Sequence, residues 1–398
     1  MSEHYNVIVV GGGMVGATLA VALAEQSTLN IAVIEAYPLK AITEQDIPDL
    51  RVSALTRASE TLLKNLAIWP QLITARISPF TDMKVWETLD SALHFDSADI
   101  GEPLLGNIVE NRNLQQACIR RCAELANIDW LCPAKPTSLA DNTLTLEDGR
   151  MMTADLIVGA DGAQSLLREW LGIESRGWDY DQSAVVCTVT TEQAHQQTAR
   201  QRFLSEGPLA FLPLSDGHQC SIVWSNSTEQ AERLCQLGDE AFKNTLADAF
   251  QNKLGKIIEV SQRAQFPLKL RHADHYVESS FALVGDAAHT IHPLAGQGVN
   301  IGLLDAATLA EVIIEAQQQG RDIGSLHTLN KYQRRRKGDN IAMQMTMDAF
   351  KHVFGSELAP IRWARRLGLK TVNQSTLLRN LFMHQASGHR FANPKLSK

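Results

Sequence analysis

The chain has 398 residues, 44% hydrophobic and 20% charged, an ordinary globular composition at a length where one core stops growing, so two closely joined domains are expected. No run of about eighteen apolar, uncharged residues occurs, which argues against a membrane-spanning helix. The formal charge of −7 is uneven: from Lys331 onward fourteen Lys or Arg face three acids, a local +11 that leaves −18 for the first 330 residues; such a basic end is either a solvated helical face or a surface for an anionic partner.

The opening MSEHYNVIVV enters a strand directly, without the basic segment and cleavage site of a signal peptide, so a cytoplasmic location is expected. Residues 5–10 (YNVIVV) are β-branched and apolar, as in a buried strand. Gly11, Gly12 and Gly13 follow, then the Ala/Leu-rich helix MVGATLAVALAEQ and a second strand, IAVIEA, carrying Glu35. This is a βαβ unit opening a doubly wound α/β sheet. Residues 53–75 read as helical, 80–110 as short alternating runs, 112–126 as helix, and 127–158 as short strands turning at Glu147-Asp148-Gly149.

A second β-rich block spans about 183–275 and includes AFLPLS (210–215) and CSIVWS (220–225). FALV (281–284) reads as a strand returning to the first domain, followed by helices over 298–319, 325–350 and 359–383. The second domain is therefore inserted: 1–78, 111–182 and 276–340 form the first domain, 79–110 and 183–275 the second, and 341–398 a C-terminal helical region. Six cysteines (118, 122, 132, 187, 220 and 235) form no CxxC pair, which favours reduced, buried thiols over disulfides or structural zinc.

Three motifs carry chemistry. Gly11-x-Gly13-x-x-Gly16 lies between a strand and a helix, where glycines let a pyrophosphate reach the free N–H groups of the helix start, including those at Met14 and Val15. Glu35, nineteen residues after Gly16, is placed to accept hydrogen bonds from an adenosine ribose. This motif alone does not separate NAD from FAD. The second motif, DLIVGADGAQSLLREWLG (155–172), is a strand–turn–helix bearing Asp161 and Gly162. The third, VGDAAHTIHPLAGQGVNIGLLDA (284–306), runs from a strand through Gly285-Asp286 to a helix starting near Gly298. Its spacing of Asp286, His289 and His292 raises a metal site. Pro293 and the glycines that follow suit close backbone approach rather than ligation, so no metal is expected.

In this order and spacing the three motifs resemble those of FAD-dependent aromatic hydroxylases of the para-hydroxybenzoate hydroxylase type, over roughly residues 5–350. Within that family RVSAL (51–55), LLGNIVEN (104–111), FLPLSD (211–216) and GDAAHTIHPLAGQGVN (285–300) are most similar to the aerobic ubiquinone-biosynthesis hydroxylases, the C5 hydroxylases of the polyprenylphenol intermediate before the C6 enzymes. The resemblance implies a Rossmann-like, glutathione-reductase-type FAD-binding domain interrupted by a β-rich substrate domain, with C-terminal helices.

It also implies roles for individual residues. Gly11, Gly13 and Gly16 hold the FAD pyrophosphate and Glu35 the adenosine ribose; Arg51 reaches the phosphate or ribose region. Asn111, three residues before Leu114, takes the place of a flavin-contacting Arg or Gln. Asp161 and Gly162 lie near FAD and the path of the nicotinamide nucleotide. Gly285-Asp286 binds the ribityl or pyrophosphate part, and Pro293 borders the flavin ring. Gly296 and Gly298 allow close approach, and the helix start at Gly298, Val299 and Asn300 aims free amides at the flavin N1/O2 edge, where negative charge builds on reduction.

The implied reaction is hydroxylation of an electron-rich ring with NADPH or NADH and O2 through a flavin C4a-hydroperoxide; a related epoxidase or reductase acting on another lipophilic substrate is the alternative. Phe211, Pro213 and Trp224 are candidate walls of the substrate cavity, with plain sheet core as the other reading. No catalytic base is assigned. A polyprenyl substrate makes the basic stretch with Arg362, Trp363, Arg365, Arg366 and Lys370 a candidate for peripheral membrane contact or for a biosynthetic complex; no nucleic acid is expected.

Overall fold

The opening strand (Glu3–Val10) has its last four residues buried on both faces because it lies in the middle of a parallel sheet. The computed structural model describes residues 3–88, 92–140, 142–290, 298–355 and 393–398. Ile31–Ile34 and then Ile128–Leu131 extend this sheet on one side, Met151–Gly159 and then Phe281–Leu283 on the other, all parallel. The register aligns Ile34, Val10, Gly159 and Leu283, so four strands release their chains along one edge. The helices are α1 (Met14–Gln26), α2 (Arg57–Asn65), α3 (Asn111–Ala123), α4 (Leu166–Trp170), α5 (Thr228–Gln236), α6 (Asp239–Ala249), α7 (Gly298–Gln318) and α8 (Leu326–Gly355). Leu19 and Leu23 of α1, Leu114 and Cys118 of α3, and Leu309 and Ile313 of α7 join the strand residues in one core.

A second sheet is built around Ser175–Thr191, with Gln219–Ser227 and then Pro208–Pro213 antiparallel on one side and Ala264–Ala273 on the other. A small sheet of Val52–Thr56, Gly106–Glu110 and Ile77–Phe80 accompanies them. The second sheet has two separate cores. On one face Phe211, Ile222 and Trp224 pack with Phe242 and Phe250 of the α6 region; on the other Ala210 and Leu212 meet Phe80 and Ile108 of the small sheet.

Three elements differ from the sequence reading. Residues 53–56, the start of the run expected as helix, belong instead to the strand Val52–Thr56 because it pairs with 106–110; α2 starts only at Arg57, where the Thr56 side chain accepts from Ser59 N. The second sheet takes over at Ser175 rather than 183, since the polar SRGWDYDQ run is held by Ala264–Ala273. The β-rich block also contains α5 and α6. The helix expected over 359–383 lies outside the described residues. Among the described residues, no helix is long and apolar enough to cross a membrane.

Candidate functional site

Gly11–Gly16, Glu35, Asp161 and Asp286 each follow the carboxyl end of a neighbouring parallel strand, the edge at which open α/β sheets bind ligands. The first glycine turn is fixed by sterics. Gly11 has φ +106°, and a Cβ there would lie 2.4 Å from Ala160 O; a Cβ at Gly16 would lie 2.0 Å from Gly11 O. Gly13 is different, since a Cβ there would meet nothing within 4 Å. The space beside it faces the start of α1, which has no side-chain cap, so the amides at Met14 and Val15 keep their capacity for an anion.

Glu35 closes one end of this loop: its carboxylate accepts from Gly12 N at 2.8 Å and Tyr37 N at 3.0 Å. Gln115 of α3 donates to Gly12 O at 3.3 Å, a support that the sequence reading did not single out. Val15 is a buttress as well as an amide. A Cβ at Gly285 would sit 3.3 Å from its Cγ1, and one at Gly302 would sit 2.7 Å from its Cγ2. Gly302, also unforeseen, thus lets α7 approach α1 and Gly285 closely.

Arg51 is exposed, with its guanidinium 5.6 Å from the centre of the Phe266 ring on the second sheet. Its carbonyl accepts from Asn111 N at 2.9 Å, and Asn111 Oδ1 accepts from Ser53 Oγ at 2.7 Å. Asn111 is therefore engaged with its neighbouring strand, while its sequence position stays beside Arg51. At the second motif, Asp161 Oδ2 accepts from Leu167 N at 3.2 Å, but its Oδ1 is buried without a partner. Gly162 has φ +82°. Arg168 donates to Ala287 O at 2.8 Å and Ala163 O at 2.9 Å, tying the second motif to the third.

In the third motif, Gly285 N donates to Asp305 Oδ2 at 3.2 Å. The Asp286 side chain reaches solvent from a protein-crowded recess, and this burial pushes its carboxyl above the usual carboxylate range, against the pull of His289 and Arg51. His289 is buried against Asp305, Nε2 to Oδ2 2.5 Å, so that histidine has a structural partner. Pro293, Gly296 and His292 lie outside the described residues. Gly298 opens α7, and Val299 packs beside the main core. Asn300 is buried, with Nδ2 donating to Ala54 O at 2.8 Å and Oδ1 accepting from Thr56 N at 3.0 Å. Its side chain locks the start of α7 to the small sheet, leaving its backbone as what it offers a ligand.

Of the two readings of Phe211, Pro213 and Trp224, cavity wall or sheet core, the structure gives sheet core. Phe211 and Trp224 belong to the core under α5 and α6, where Phe211 stacks on Phe250 with centroids 3.6 Å apart. Pro213 pairs with Cys220 of that same core and shares its face. The opposite face carries Ala210, Leu212 and Val223 toward Val52 and Ala54 of the small sheet. Among the described residues no group of three or more His, Cys, Asp or Glu is placed to hold a metal.

The observations fit FAD: an anion-ready helix start opening onto free space, an unpaired buried carboxylate oxygen, and glycine approaches in between. Residues 136–349 match the FAD binding domain family. The fold is shared with solved structures at low identity. One is p-nitrophenol 4-monooxygenase PnpA from Pseudomonas putida DLL-E4, with a TM-score of 0.79 at 18% identity, covering 98% of this chain and 100% of that one. Another is PqsL of P. aeruginosa, with a TM-score of 0.75 at 22% identity, covering 93% and 100%. The family match thus makes this an FAD-binding protein.

The sequence relatives narrow it. The chain is 37% identical to 3-demethoxyubiquinol 3-hydroxylase of Escherichia coli K12, over 97% of this chain and 99% of that protein. It is 39% identical to ubiquinone hydroxylase UbiL of Rhodospirillum rubrum, covering 96% and 89%, and 33% identical to human mitochondrial ubiquinone biosynthesis monooxygenase COQ6, covering 96% and 92%. The chain belongs to the ubiquinone-biosynthesis hydroxylase family.

Proposed function

We propose that this enzyme hydroxylates the ring of a polyprenylated phenol or quinol in ubiquinone biosynthesis, at C5, with NADPH or NADH as reductant. The observation that supports ring hydroxylation is the near end-to-end match to a hydroxylase named for a demethoxyubiquinol substrate, on a chain whose parallel strands end along one edge; the C5 position rests on the likeness of RVSAL, LLGNIVEN, FLPLSD and GDAAHTIHPLAGQGVN to the C5 hydroxylases. When bound, FAD supplies the means to accept electrons from NAD(P)H and to pass one oxygen atom of O2 to the ring.

The protein's own part is binding, orientation and exclusion of water. The α1 amides at Met14 and Val15 take the pyrophosphate charge, and Glu35 accepts from ribose hydroxyls with its remaining lone pairs. Asp286 accepts from the ribityl chain, and the first amides of α7 face the flavin N1/O2 edge. Asp161 Oδ1 receives a donor from FAD or from the docking nicotinamide nucleotide. Ala210, Leu212 and Val223 shield the reacting ring from water. Arg51 and Phe266 join the two sheets at the rim. The basic C-terminal stretch holds the enzyme at an anionic membrane surface near its lipophilic substrate.

The test is mass spectrometry of the quinone intermediates that accumulate in a strain lacking the protein, with rescue by the parent and by Asp286→Ala. An accumulated intermediate unhydroxylated at C5, cleared by the parent and not by Asp286→Ala, is the expected result. Accumulation of the C6-unhydroxylated species reassigns the position, and full rescue by Asp286→Ala removes the cradle role given to that residue.

A further inference from the structure

The turn 285–289 carries the only exposed acid of a stretch otherwise packed into the protein, and something must hold it there. Its two ends meet the same carboxylate. Asp305, fully buried on α7, accepts from Gly285 N at 3.2 Å and faces His289 Nε2 at 2.5 Å through Oδ2. Its Oδ1 accepts from Arg336 Nε at 2.7 Å and Asn340 Nδ2 at 3.2 Å, both on α8. Arg336 is buried too, and it donates to Asn340 Oδ1 at 2.9 Å. Tyr332 of α8 donates to Leu283 O at 2.8 Å, fixing the strand that leads into the turn.

Beyond the turn, His289 and Thr290 pair with His272 and Arg271 at the edge of the second sheet. The six residues 285–290 therefore connect one sheet to the other, with Asp286 between two clamped ends. A buried ion pair is a poor source of net stability, and its best-attested use is to fix one arrangement among several. Burial alone would push the Asp305 carboxyl up; the neighbouring His289 and Arg336 hold it down at about 2.

We propose that Asp305 is a positioning residue for flavin binding: with Arg336 behind it, it clamps both ends of the 285–289 turn and so sets where Asp286 presents its carboxylate. The proposal rests on the reading that Asp286 contacts FAD. Asparagine at 305 has one acceptor oxygen, so it can serve the Gly285/His289 side or the Arg336/Asn340 side, not both.

The experiment titrates FAD into the full-length apoprotein, reading Kd from flavin fluorescence, the visible spectrum of the bound flavin, and the thermal midpoint without FAD. Asp305→Asn should raise Kd about tenfold or more and shift the flavin band, in a protein that still melts cooperatively. Asp286→Ala is the parallel arm. If it keeps the parent Kd, the reading of Asp286 fails and the clamp proposal with it. If it weakens FAD while Asp305→Asn keeps both parent Kd and spectrum, the clamp alone is overturned. Should Asp305→Asn not fold, the His289 pair decides. His289→Gln retains a donor for Asp305 and should stay within about threefold of the parent, whereas His289→Leu should lose about tenfold; equal Kd for the two variants overturns the proposal.

Discussion

The two ends of the cradle are made in different ways. The α1 turn is shaped by what is missing: at Gly11 and Gly16 a Cβ would strike backbone oxygen, and the loop needs little beyond its own neighbours. The 285–305 end is shaped by what is present, a buried carboxylate with four hydrogen-bonding partners drawn from the turn and from α8. The first is a local, steric solution; the second is non-local and electrostatic. They should accordingly break under different insults.

The largest effect belongs to the steric end. Gly16→Ala places a methyl group 2.0 Å from Gly11 O, where backbone must move. The expected loss is about 3 kcal/mol, the upper end for overpacked interior sites because the clash is with backbone, seen as a lowered urea midpoint and loss of bound flavin. Gly13→Ala, in the same motif, is the contrast: its methyl group enters open space. The apoprotein should melt like the parent while FAD binding weakens about tenfold, the methyl group competing with phosphate for the helix start. If both variants behave alike, the division of that motif into a structural and a ligand-facing glycine is wrong.

At the electrostatic end the lever is pH. Asp305 is held at about 2 in the folded protein, against an ordinary 3.8. A depressed folded-state value stabilises above the unfolded value and loses that contribution as pH falls toward the folded one. About 2 kcal/mol should therefore disappear between pH 4 and pH 2, and Asp305→Asn should show a shallower acid limb in denaturant titrations over that window. Asp286 has the opposite sign. Its raised carboxyl begins to work against the folded apoprotein as pH rises past the ordinary 3.8 and does so in full above the folded-state value. Asp286→Asn should hence melt above the parent at pH 7 in the absence of FAD, yet bind FAD more weakly. A lower midpoint would break this account. The second sheet tests the proposed substrate side: Leu212→Val should change substrate kcat/KM by about tenfold, the low end of what one methylene in a pocket is worth, whereas Phe211→Leu should lower stability and leave KM unchanged.

What the sequence revealed follows the same division. The strand-end places of the α1 turn and Glu35 were legible from local spacing, and those of Asp161 and Asp286 from the resemblance of their motifs. Residues 53–56 were misread as helix because only the pairing of Val52–Thr56 with 106–110 makes them part of a strand. Phe211 and Trp224 were read either as cavity walls or as sheet core because AFLPLS and CSIVWS are buried along nearly their whole length, and such a run does not say which side faces which neighbour. Asp305 was quoted within the third motif yet passed over, since its partners Arg336 and Asn340 lie 31 and 35 residues away. Gly302 carried a faint signal, a small residue one helical turn after Gly298, but its reason is the Val15 side chain on another helix.

The two cores of the substrate sheet have a consequence for divergence. Alternation along Pro208–Pro213 and Gln219–Ser227 sends the large side chains under α5 and α6, while Ala210, Leu212 and Val223 look the other way. Residues of the core under α5 and α6 are thereby separated, position by position, from those that meet the small sheet. A change in one set need not pass through the other, so the side facing the small sheet can diverge on a foundation that does not move.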